Sequence, residues 1–243
     1  MNFKLHDLIL FENEALVAVN KPSGMLSIPD REGKEGSLKD YLHQHYKEIY
    51  TVHRLDRDTS GLIIFAKTAE AHKHFSKQFE ERKTIKMYLG LITGSLPQTE
   101  GSIDAPIAEN MVKRGTMLVH RRGKTALTDY KVLKDFKRHS WVQFQIHTGR
   151  THQIRVHAKE LGHPLAGDVI YGDGKPLLLS SFKKKFKQAK DLFEEKPLLN
   201  RLALHAFRLT IMDEHKNIIE LEAPLHKDLK VTLAQMEKWA KPD

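Results

Sequence analysis

The chain has 243 residues, of which 40% are hydrophobic and 29% charged, so it is long enough to bury a substantial core. Forty Lys and Arg against 31 Asp and Glu give a formal net charge of +9, which favours a polyanionic partner such as nucleic acid. The sequence contains no cysteine, which excludes disulfides, thiolate nucleophiles and the commonest zinc sites. No apolar run approaches the ~20 residues that cross a bilayer, and the first residues do not resemble a secretion signal. We therefore expect a cytoplasmic protein with no membrane partner.

The predicted elements follow from hydrophobic periodicity and turn residues. Strands are predicted at residues 14–20, 62–66, 85–92, 141–146, 201–211 and 217–222, with an extended segment at 50–55. Helices are predicted at residues 37–46, after the cap Thr68, within 149–161 and at 229–239. Strands and helices mix without regular alternation and without a glycine-rich nucleotide loop. The pattern indicates an α+β protein with a largely antiparallel mixed sheet flanked by helices, forming a single domain over residues 1–243.

The densest polar cluster is His-Arg-Leu-Asp-Arg-Asp-Thr-Ser-Gly at residues 53–61. In an extended segment successive side chains alternate, so Arg54 and Asp56 project from one face and Leu55 from the other. A carboxylate beside arginines is held ionised and can act as a nucleophile or a general base. The same residues also suit a salt-bridged surface turn, and the pattern alone leaves both interpretations open.

A second cluster, His-Thr-Gly-Arg-Thr-His-Gln-Ile-Arg-Val-His, occupies residues 147–157. We expect Gly149 and Thr151 to form a turn and cap that open a helix. On that helix His152, Arg155 and Lys159 fall three and four residues apart, which predicts one polar stripe. Such a stripe is typical both of a helix that lines an RNA cleft and of an ordinary amphipathic surface helix.

A lysine-rich stretch begins with Lys183, Lys184 and Lys185 and places five lysines in the eight residues 183–190. It suits an arm that contacts RNA backbone and a solvated helix face equally well. The fifteen histidines show no convincing metal spacing, since His152 and His157 are five apart and do not share a helical face. We therefore expect no metal.

Together the clusters resemble the signature of the RluA family of pseudouridine synthases. The similar segments occur in order along most of the chain: Asn-Lys-Pro-Ser-Gly (20–24), His-Arg-Leu-Asp-Arg-Asp-Thr-Ser-Gly-Leu (53–62), Lys-Met-Tyr (86–88), Thr-Gly-Arg-Thr-His-Gln-Ile-Arg-Val-His (148–157), Gly-His-Pro (162–164) with Gly-Asp (167–168), and Leu-His-Ala (204–206). Several matches in the right order are far more specific than any one of them.

The resemblance implies the pseudouridine synthase catalytic fold, with a central RNA-binding cleft, and an enzyme that isomerises uridines in ribosomal (large subunit) or transfer RNA. It implies that Asp56 is the catalytic nucleophile or base and that Arg155 pairs with it. It further implies two roles for Tyr88, namely stacking on the base and helping to remove the proton from carbon 5. Arg54 is expected to fill the gap left by the flipped nucleotide, and Leu204 to line the pocket. No cofactor is expected, because the reaction starts and ends at the same oxidation state.

Two departures from the family pattern bear on recognition. Only ~50 residues precede the Asp56 signature, which suggests the short form without an N-terminal RNA-binding domain. Residues 175–200 are longer than the usual link and are interpreted as a family-variable insertion. We expect RNA to be the partner and the protein to be a monomer.

Two alternatives come from other functional classes. One is a non-catalytic RNA-binding or ribosome-assembly protein on the same scaffold. The other is a nucleotide hydrolase in which His53 or His152 acts as the base.

Overall fold

The structure is a computed structural model and describes residues 4–30, 35–184, 186 and 194–240. The α-helices are α1 (Leu5–Leu8), α2 (Leu38–His43), α3 (Ala69–Glu80), α4 (Gln153–Glu160) and α5 (Lys227–Trp239), and a 3-10 helix covers Leu179–Ser181. The strands are β1 (Ile9–Glu12), β2 (Leu16–Lys21), β3 (Tyr50–Thr51), β4 (Ser60–Ala66), β5 (Ile85–Thr93), β6 (Glu100–Asp104), β7 (Ile107–Glu109), β8 (Met117–Val119), β9 (Leu127–Asp135), β10 (His139–Ile146), β11 (Leu204–Met212) and β12 (Ile218–Glu222).

The chain divides into two compact units. Unit 1 comprises residues 1–88, 145–147 and 205–224, and unit 2 comprises residues 89–144, 148–204 and 225–243. Most strand pairs are antiparallel, and β4 with β11 is a parallel pair. The predicted α+β class with a largely antiparallel sheet is confirmed, whereas the prediction of a single domain stays a prediction.

Unit 1 buries both faces of its central strands, so every residue of β2 and β4 is buried and their apolar stretches, residues 16–19 and 62–66, run without alternation. Val17 and Phe65, which are cross-strand partners, point into one cluster with residues of α1 and α2. The neighbouring positions Leu16 and Ile64 point into a second cluster with Phe75 of α3. Successive side chains of a strand point to opposite faces, so the two clusters lie on opposite sides of the sheet.

Helices α2 and α3 of unit 1 begin at the polar residues that the sequence indicates. Thr68 accepts a hydrogen bond from the Ala71 N–H at the start of α3. Ser37 and Asp40 form a reciprocal capping box at the start of α2, in which each side chain accepts from the other residue's N–H. Because these caps satisfy amides that have no partner inside the helix, they fix where each helix begins.

Unit 2 contains the antiparallel pair β6–β9, the strand β10 and the small sheet β7–β8. Val156 of α4 packs with Ile107 and Tyr171 in a local core. At the start of α5, Arg201 binds Asp228 through two hydrogen bonds of 2.6 and 2.8 Å. None of the helices in the described part of the chain is long and apolar enough to span a lipid bilayer.

Candidate active site

Asp56 lies on a short segment between β3 and β4 that is anchored by the residue before it. Leu55 is buried, and its N–H and C=O both bond the Ser27 hydroxyl, at 3.0 and 2.8 Å. Arg54 is exposed and Asp56 half-buried, so the predicted alternation around Leu55 is confirmed. The Thr59 N–H then donates to the Asp56 carbonyl at 3.2 Å and closes a turn. Asp56 is therefore the first residue of the turn that leads into β4.

The fully buried Lys21 binds the backbone of this turn. Lys21 ends β2 directly opposite Gly61, which places its side chain below the Asp56 turn. Its ammonium donates to three backbone carbonyl oxygens, those of Pro22 at 3.0 Å, Met25 at 2.7 Å and Arg57 at 2.9 Å. Three carbonyl acceptors match the three N–H donors of a lysine ammonium. Lys21 therefore joins the early turn to the residue that follows Asp56.

Two further bonds join the same two turns. The Gly24 N–H donates to the Arg57 carbonyl at 2.9 Å, and the Ser23 hydroxyl donates to the Asp58 carbonyl at 2.6 Å. Gly24 has a φ of 83°, in the left-handed region that glycine tolerates best. The segment 20–24 is therefore the support on which Asp56 rests, which explains physically why the two motifs occur together.

On its other side the turn enters β4 against the start of β11. Gly61 pairs with Ala206, and a Cβ on Gly61 would lie 2.2 Å from the Ala206 carbonyl oxygen, so only glycine fits. The Ser60 hydroxyl lies 3.0 Å from Nδ1 of His205, whose Nε2 lies 3.1 Å from the Ala223 carbonyl. A carbonyl only accepts, so Nε2 carries the proton and Nδ1 accepts from Ser60. The late Leu-His-Ala motif thus positions the strand that follows Asp56.

Tyr88 lies near Asp56 at the end of the β5 segment in unit 1. It packs against the core cluster that contains Leu55 and Ala206. Burial first, and the negative charge of Asp56 second, raise the pKa of the Tyr88 phenol well above its ordinary value. The phenol therefore keeps its proton at neutral pH, and it lies close enough to Asp56 for the charge of that carboxylate to act on it.

His53 is held in a neutral, structural role. Its Nε2 accepts a 3.1 Å hydrogen bond from the Ile64 N–H, and its ring stacks on Phe79 with a centroid separation of 4.6 Å. Burial, followed by the nearby charge of Lys86, lowers the pKa of His53 to about 3. A backbone amide occupies the basic nitrogen of the neutral ring, and the other nitrogen carries the proton. His53 is therefore unsuited to be the base of a hydrolase.

In unit 2, Arg155 of α4 is buried and gripped by Asp168. Nε and Nη2 donate to the two carboxylate oxygens at 2.8 and 2.7 Å, and the guanidinium lies 5.1 Å from the centre of the Tyr171 ring. Asp168 also accepts from the N–H groups of Ile170 and Tyr171. Burial alone would raise the pKa of Asp168, but the Arg155 hydrogen bonds and charge hold it below its ordinary value. Asp168 occupies one edge of the guanidinium and fixes its plane.

The three residues of the predicted polar stripe do share one face of α4, since His152, Arg155 and Lys159 all contact the Tyr171 ring, but Arg155 is buried rather than solvated. The predicted cap at Thr151 is wrong. The N-terminal boundary residue of α4 is His152, which adopts a left-handed φ of 55° and makes no side-chain cap bond. His152 Nδ1 instead lies 2.8 Å from the Tyr171 hydroxyl, which also accepts from the Met117 N–H. This bonding favours His152 as an acceptor in the structure rather than as a free base.

Gln153 replaces the expected cap. Its side-chain oxygen accepts from the Thr148 hydroxyl at 2.7 Å and the Arg150 N–H at 3.0 Å. Its side-chain amide donates to the Leu127 carbonyl and the Thr128 hydroxyl. Much of the segment 148–157 therefore packs α4 against β9. This packing fixes the position from which the Arg155 side chain projects.

The comparisons with known proteins bear on the same residues. Residues 15–160 match the family model described as RNA pseudouridylate synthase. The chain belongs to this family. The matched region contains Asp56, Tyr88 and Arg155, so the resemblance that the motifs carry is confirmed.

The relatives of this pseudouridine synthase family member agree over most of its length. The chain is 37% identical over 232 residues to ribosomal large subunit pseudouridine synthase D of Nitrosomonas europaea, covering 93% of this chain but only 64% of that protein. It is 34% identical over 235 residues to the protein of the same name from Buchnera aphidicola, covering 94% and 73%. The solved structure of human RNA pseudouridylate synthase domain containing 4 superposes with a TM-score of 0.73 at 25% identity, covering 96% and 94%.

The remaining residues predicted for a pseudouridine synthase site lie in varied environments. Arg54 is exposed and Leu204 is buried. Lys183 is half-buried with its amino group 4.4 Å from the centre of a Trp239 ring, and Lys184 is exposed. Lys185 lies outside the described residues. Within the described ranges, no group of three or more His, Asp or Glu side chains could hold a metal ion.

Proposed function

We propose that the protein isomerises uridine in RNA to pseudouridine and that the Asp56 carboxylate carries out the first chemical step. The observation that carries the proposal is the position of Asp56 within the matched family region, on a turn fastened by Lys21 and beside the protonated Tyr88. A carboxylate carried on a backbone that is fixed in this way suits attack on a sugar.

The reaction breaks the bond between ribose and the uracil nitrogen, turns the base, and rejoins it through carbon 5. Asp56 either attacks the anomeric carbon or removes a proton from the neighbouring sugar carbon. Both routes need an ionised carboxylate and a nucleotide that has been flipped out of its RNA context. Neither route changes the oxidation state, so we expect no redox cofactor. We expect no metal because the sequence has no cysteine and no suitable spacing of histidines.

Tyr88 is proposed to stack on the uracil rather than to remove its proton. The raised pKa of the phenol makes the phenolate rare at neutral pH. An aromatic ring that keeps its hydroxyl proton can support the detached base through its face and hydrogen-bond at its tip. Of the two roles that the resemblance implies for Tyr88, its electrostatic environment therefore favours stacking.

Arg155 is proposed to bind the Asp56 carboxylate while it remains bound to Asp168. A guanidinium has five N–H donors, and Asp168 takes the edge formed by Nε and Nη2. The edge formed by Nη1 and Nη2 has the same spacing and suits a second carboxylate. In this arrangement Asp168 orients Arg155, and Arg155 orients the attacking group.

The other contacts are proposed from the resemblance and from charge. Arg54 is exposed next to Asp56 and is proposed to fill the gap left by the flipped nucleotide. Leu204 is proposed to line the uracil pocket, and Lys183, Lys184 and Lys185 to contact RNA backbone. We further propose that the protein acts as a monomer in the cytoplasm.

Large-subunit ribosomal RNA is the proposed target class, with transfer RNA as the alternative. The Nitrosomonas and Buchnera relatives are named for the ribosomal large subunit. Mapping pseudouridines in ribosomal and transfer RNA from a strain that lacks the gene, with and without the gene restored, identifies the target. A uridine that is modified only when the gene is present names the substrate.

Release of tritium from RNA labelled at uracil carbon 5 tests the proposed reaction itself. Carbon 5 loses its hydrogen when the new bond forms there, so a pseudouridine synthase releases tritium into water. A non-catalytic RNA-binding or ribosome-assembly protein releases none, and neither does a nucleotide hydrolase. Binding of the same RNA without tritium release would therefore refute the proposed activity.

A further inference from the structure

A basic cavity of about 490 Å³ opens on unit 2, and the reaction outlined above does not use it. Three segments line it: residues 136–139 in the turn from β9 to β10, residues 180–184, and the last turn of α5. Binding pockets for small ligands commonly have ~300–1,000 Å³, so the cavity has room for one nucleotide of a longer strand. The family model ends at residue 160, before two of the three segments.

The charge of the lining is positive. Lys137, Arg138, Lys183 and Lys184 contribute four cations, and no acidic side chain belongs to the lining among the residues the structure describes. The carboxyl end of α5 adds a partial negative charge of about half an elementary charge, and the Glu195 carboxylate, which accepts from the Ser180 N–H of the lining, adds one more. Four cations exceed both together. His139 adds no charge at neutral pH, because burial lowers its pKa. The cavity therefore attracts anions such as phosphodiesters.

An aromatic ring lies among these cations. The Lys183 amino group lies 4.4 Å from the centre of a Trp239 ring, and that of Lys238 lies 5.0 Å from it. Trp239 is 37% exposed, so part of its indole ring is open to a ligand. Aromatic rings beside cations are the means by which proteins bind unpaired nucleotides, with the base on the ring and the phosphates on the cations.

Hydrogen bonds and packing hold the three segments that line the cavity in place. Nη1 of Arg138 donates to the Ser181 carbonyl at 3.2 Å, which ties the strand turn to the short 3-10 helix. The Ser180 N–H donates to Glu195, and Met236 of α5 is buried beneath the cavity. The cations are therefore carried by three segments that are bonded or packed in place.

We propose that this cavity binds an unpaired nucleotide of the RNA substrate, with its base against Trp239 and its phosphates on Arg138 and Lys184. The inference rests on the proposed function in one respect, namely that the ligand is RNA. It adds a recognition site outside the reaction, at which the enzyme holds a single-stranded part of its substrate. Because base stacking and phosphate contacts carry little sequence information, this site contributes affinity rather than the choice of uridine.

The test uses the fluorescence of Trp239 and needs no turnover. The full chain has two tryptophans, so Trp141→Phe leaves Trp239 as the only reporter. Titration with a fluorescently labelled hexamer of adenosine, which contains no uridine, is followed by anisotropy and by Trp239 emission together. We expect binding to quench Trp239. In the otherwise wild-type chain, Trp239→Ala should weaken hexamer affinity at least about fivefold.

The double variant Arg138→Gln/Lys184→Gln should abolish the quenching and reduce the salt slope of binding by about 1.4, at ~0.7 per phosphate contact on a single strand. The control variant Lys113→Gln/Arg114→Gln also removes one lysine and one arginine charge, on the exposed turn between β7 and β8, and should leave the quenching intact. Hexamer binding without quenching, or absence of hexamer binding at low salt, would overturn the proposal. Quenching in a protein that releases no tritium from uridine-labelled RNA would refute the proposed reaction and leave the nucleotide site standing.

Discussion

Replacing Lys21 by methionine tests whether the buried ammonium holds the Asp56 turn. Methionine fills much of the same space but donates no hydrogen bond. The Arg57 carbonyl keeps the Gly24 N–H at 2.9 Å, so the loss falls mainly on the carbonyls of Pro22 and Met25. A buried acceptor without a donor costs about 1–3 kcal/mol, and removing a buried charge returns part of that cost.

We therefore expect Lys21→Met to lower the free energy of unfolding by about 2–4 kcal/mol. For a chain of this size that corresponds to a fall in Tm of roughly 4–16 °C. The protein should still fold at 25 °C, because domains are stable by about 5–15 kcal/mol. Because the Arg57 carbonyl is adjacent to Asp56, the single-turnover rate should fall about 100-fold through misplacement of the carboxylate.

Calorimetric melting and single-turnover tritium release measure the two effects. Lys73→Met is the matched control, since Lys73 is exposed on α3 in the same unit, and its stability change should stay within about 0.5 kcal/mol. A Lys21→Met protein with a Tm within about 2 °C of wild type and an unchanged rate would refute the reasoning that Lys21 supports the turn.

Three further predictions concern charge and metal. Arg155→Lys keeps the charge but cannot bind two carboxylates side by side, so the single-turnover rate should fall about 100-fold with RNA affinity nearly unchanged, whereas Arg150→Lys should behave as wild type. A defect of Arg155→Lys that appears in affinity and shrinks at low salt would instead identify a phosphate contact. Asp168→Asn removes the carboxylate charge that pairs with the buried Arg155 guanidinium and should cost about 3–5 kcal/mol at pH 7. The pKa of Asp168 in the folded protein is below its ordinary value of 3.8, so the ion pair stabilises the protein fully above pH 3.8. That stabilisation is lost as the pH falls through the pKa of the folded protein. A stability difference between wild type and Asp168→Asn that does not shrink in acid would contradict the ion pair of Asp168 with Arg155. Activity should survive EDTA, and restoration of a lost activity by one specific divalent ion at low concentration would overturn the metal-free mechanism.

Sequence patterns predicted those helices and strands whose formation depends mainly on residues close together in the sequence. The cap Thr68 and the spacing of Ala71 and Phe75 predicted α3, because a capped apolar stripe suits a helix at the surface of a core. The continuous apolar run of β4 predicted a strand buried on both faces. Strands β6 and β9 were not predicted, since their exposed and charged positions interrupt the alternation.

The site could be predicted only as a set of residues, because its geometry depends on partners distant in sequence. Lysine is rarely buried, so a lysine before Pro-Ser-Gly indicates a surface turn, and nothing local indicates that Lys21 binds the Arg57 carbonyl 36 positions away. Helical spacing predicts the face of α4 on which Arg155 lies, but it does not reveal the partner Asp168, 13 residues on. The sequence signal was the Gly167-Asp168 pair. The structure explains the glycine, because Gly167 has a φ of 70° and a Cβ there would lie 2.2 Å from the Arg201 carbonyl oxygen.

The most direct test of the central claim is the single-turnover release of tritium by Asp56→Asn from its RNA substrate labelled at uracil carbon 5. Asparagine keeps the shape of the side chain and removes the charge, so RNA binding should persist while release falls below detection. Asp58→Asn makes the same change in net charge two residues along the same turn and should release tritium at close to the wild-type rate. An Asp56→Asn rate constant within tenfold of wild type would contradict the account, because the reaction would then proceed without the carboxylate assigned to it.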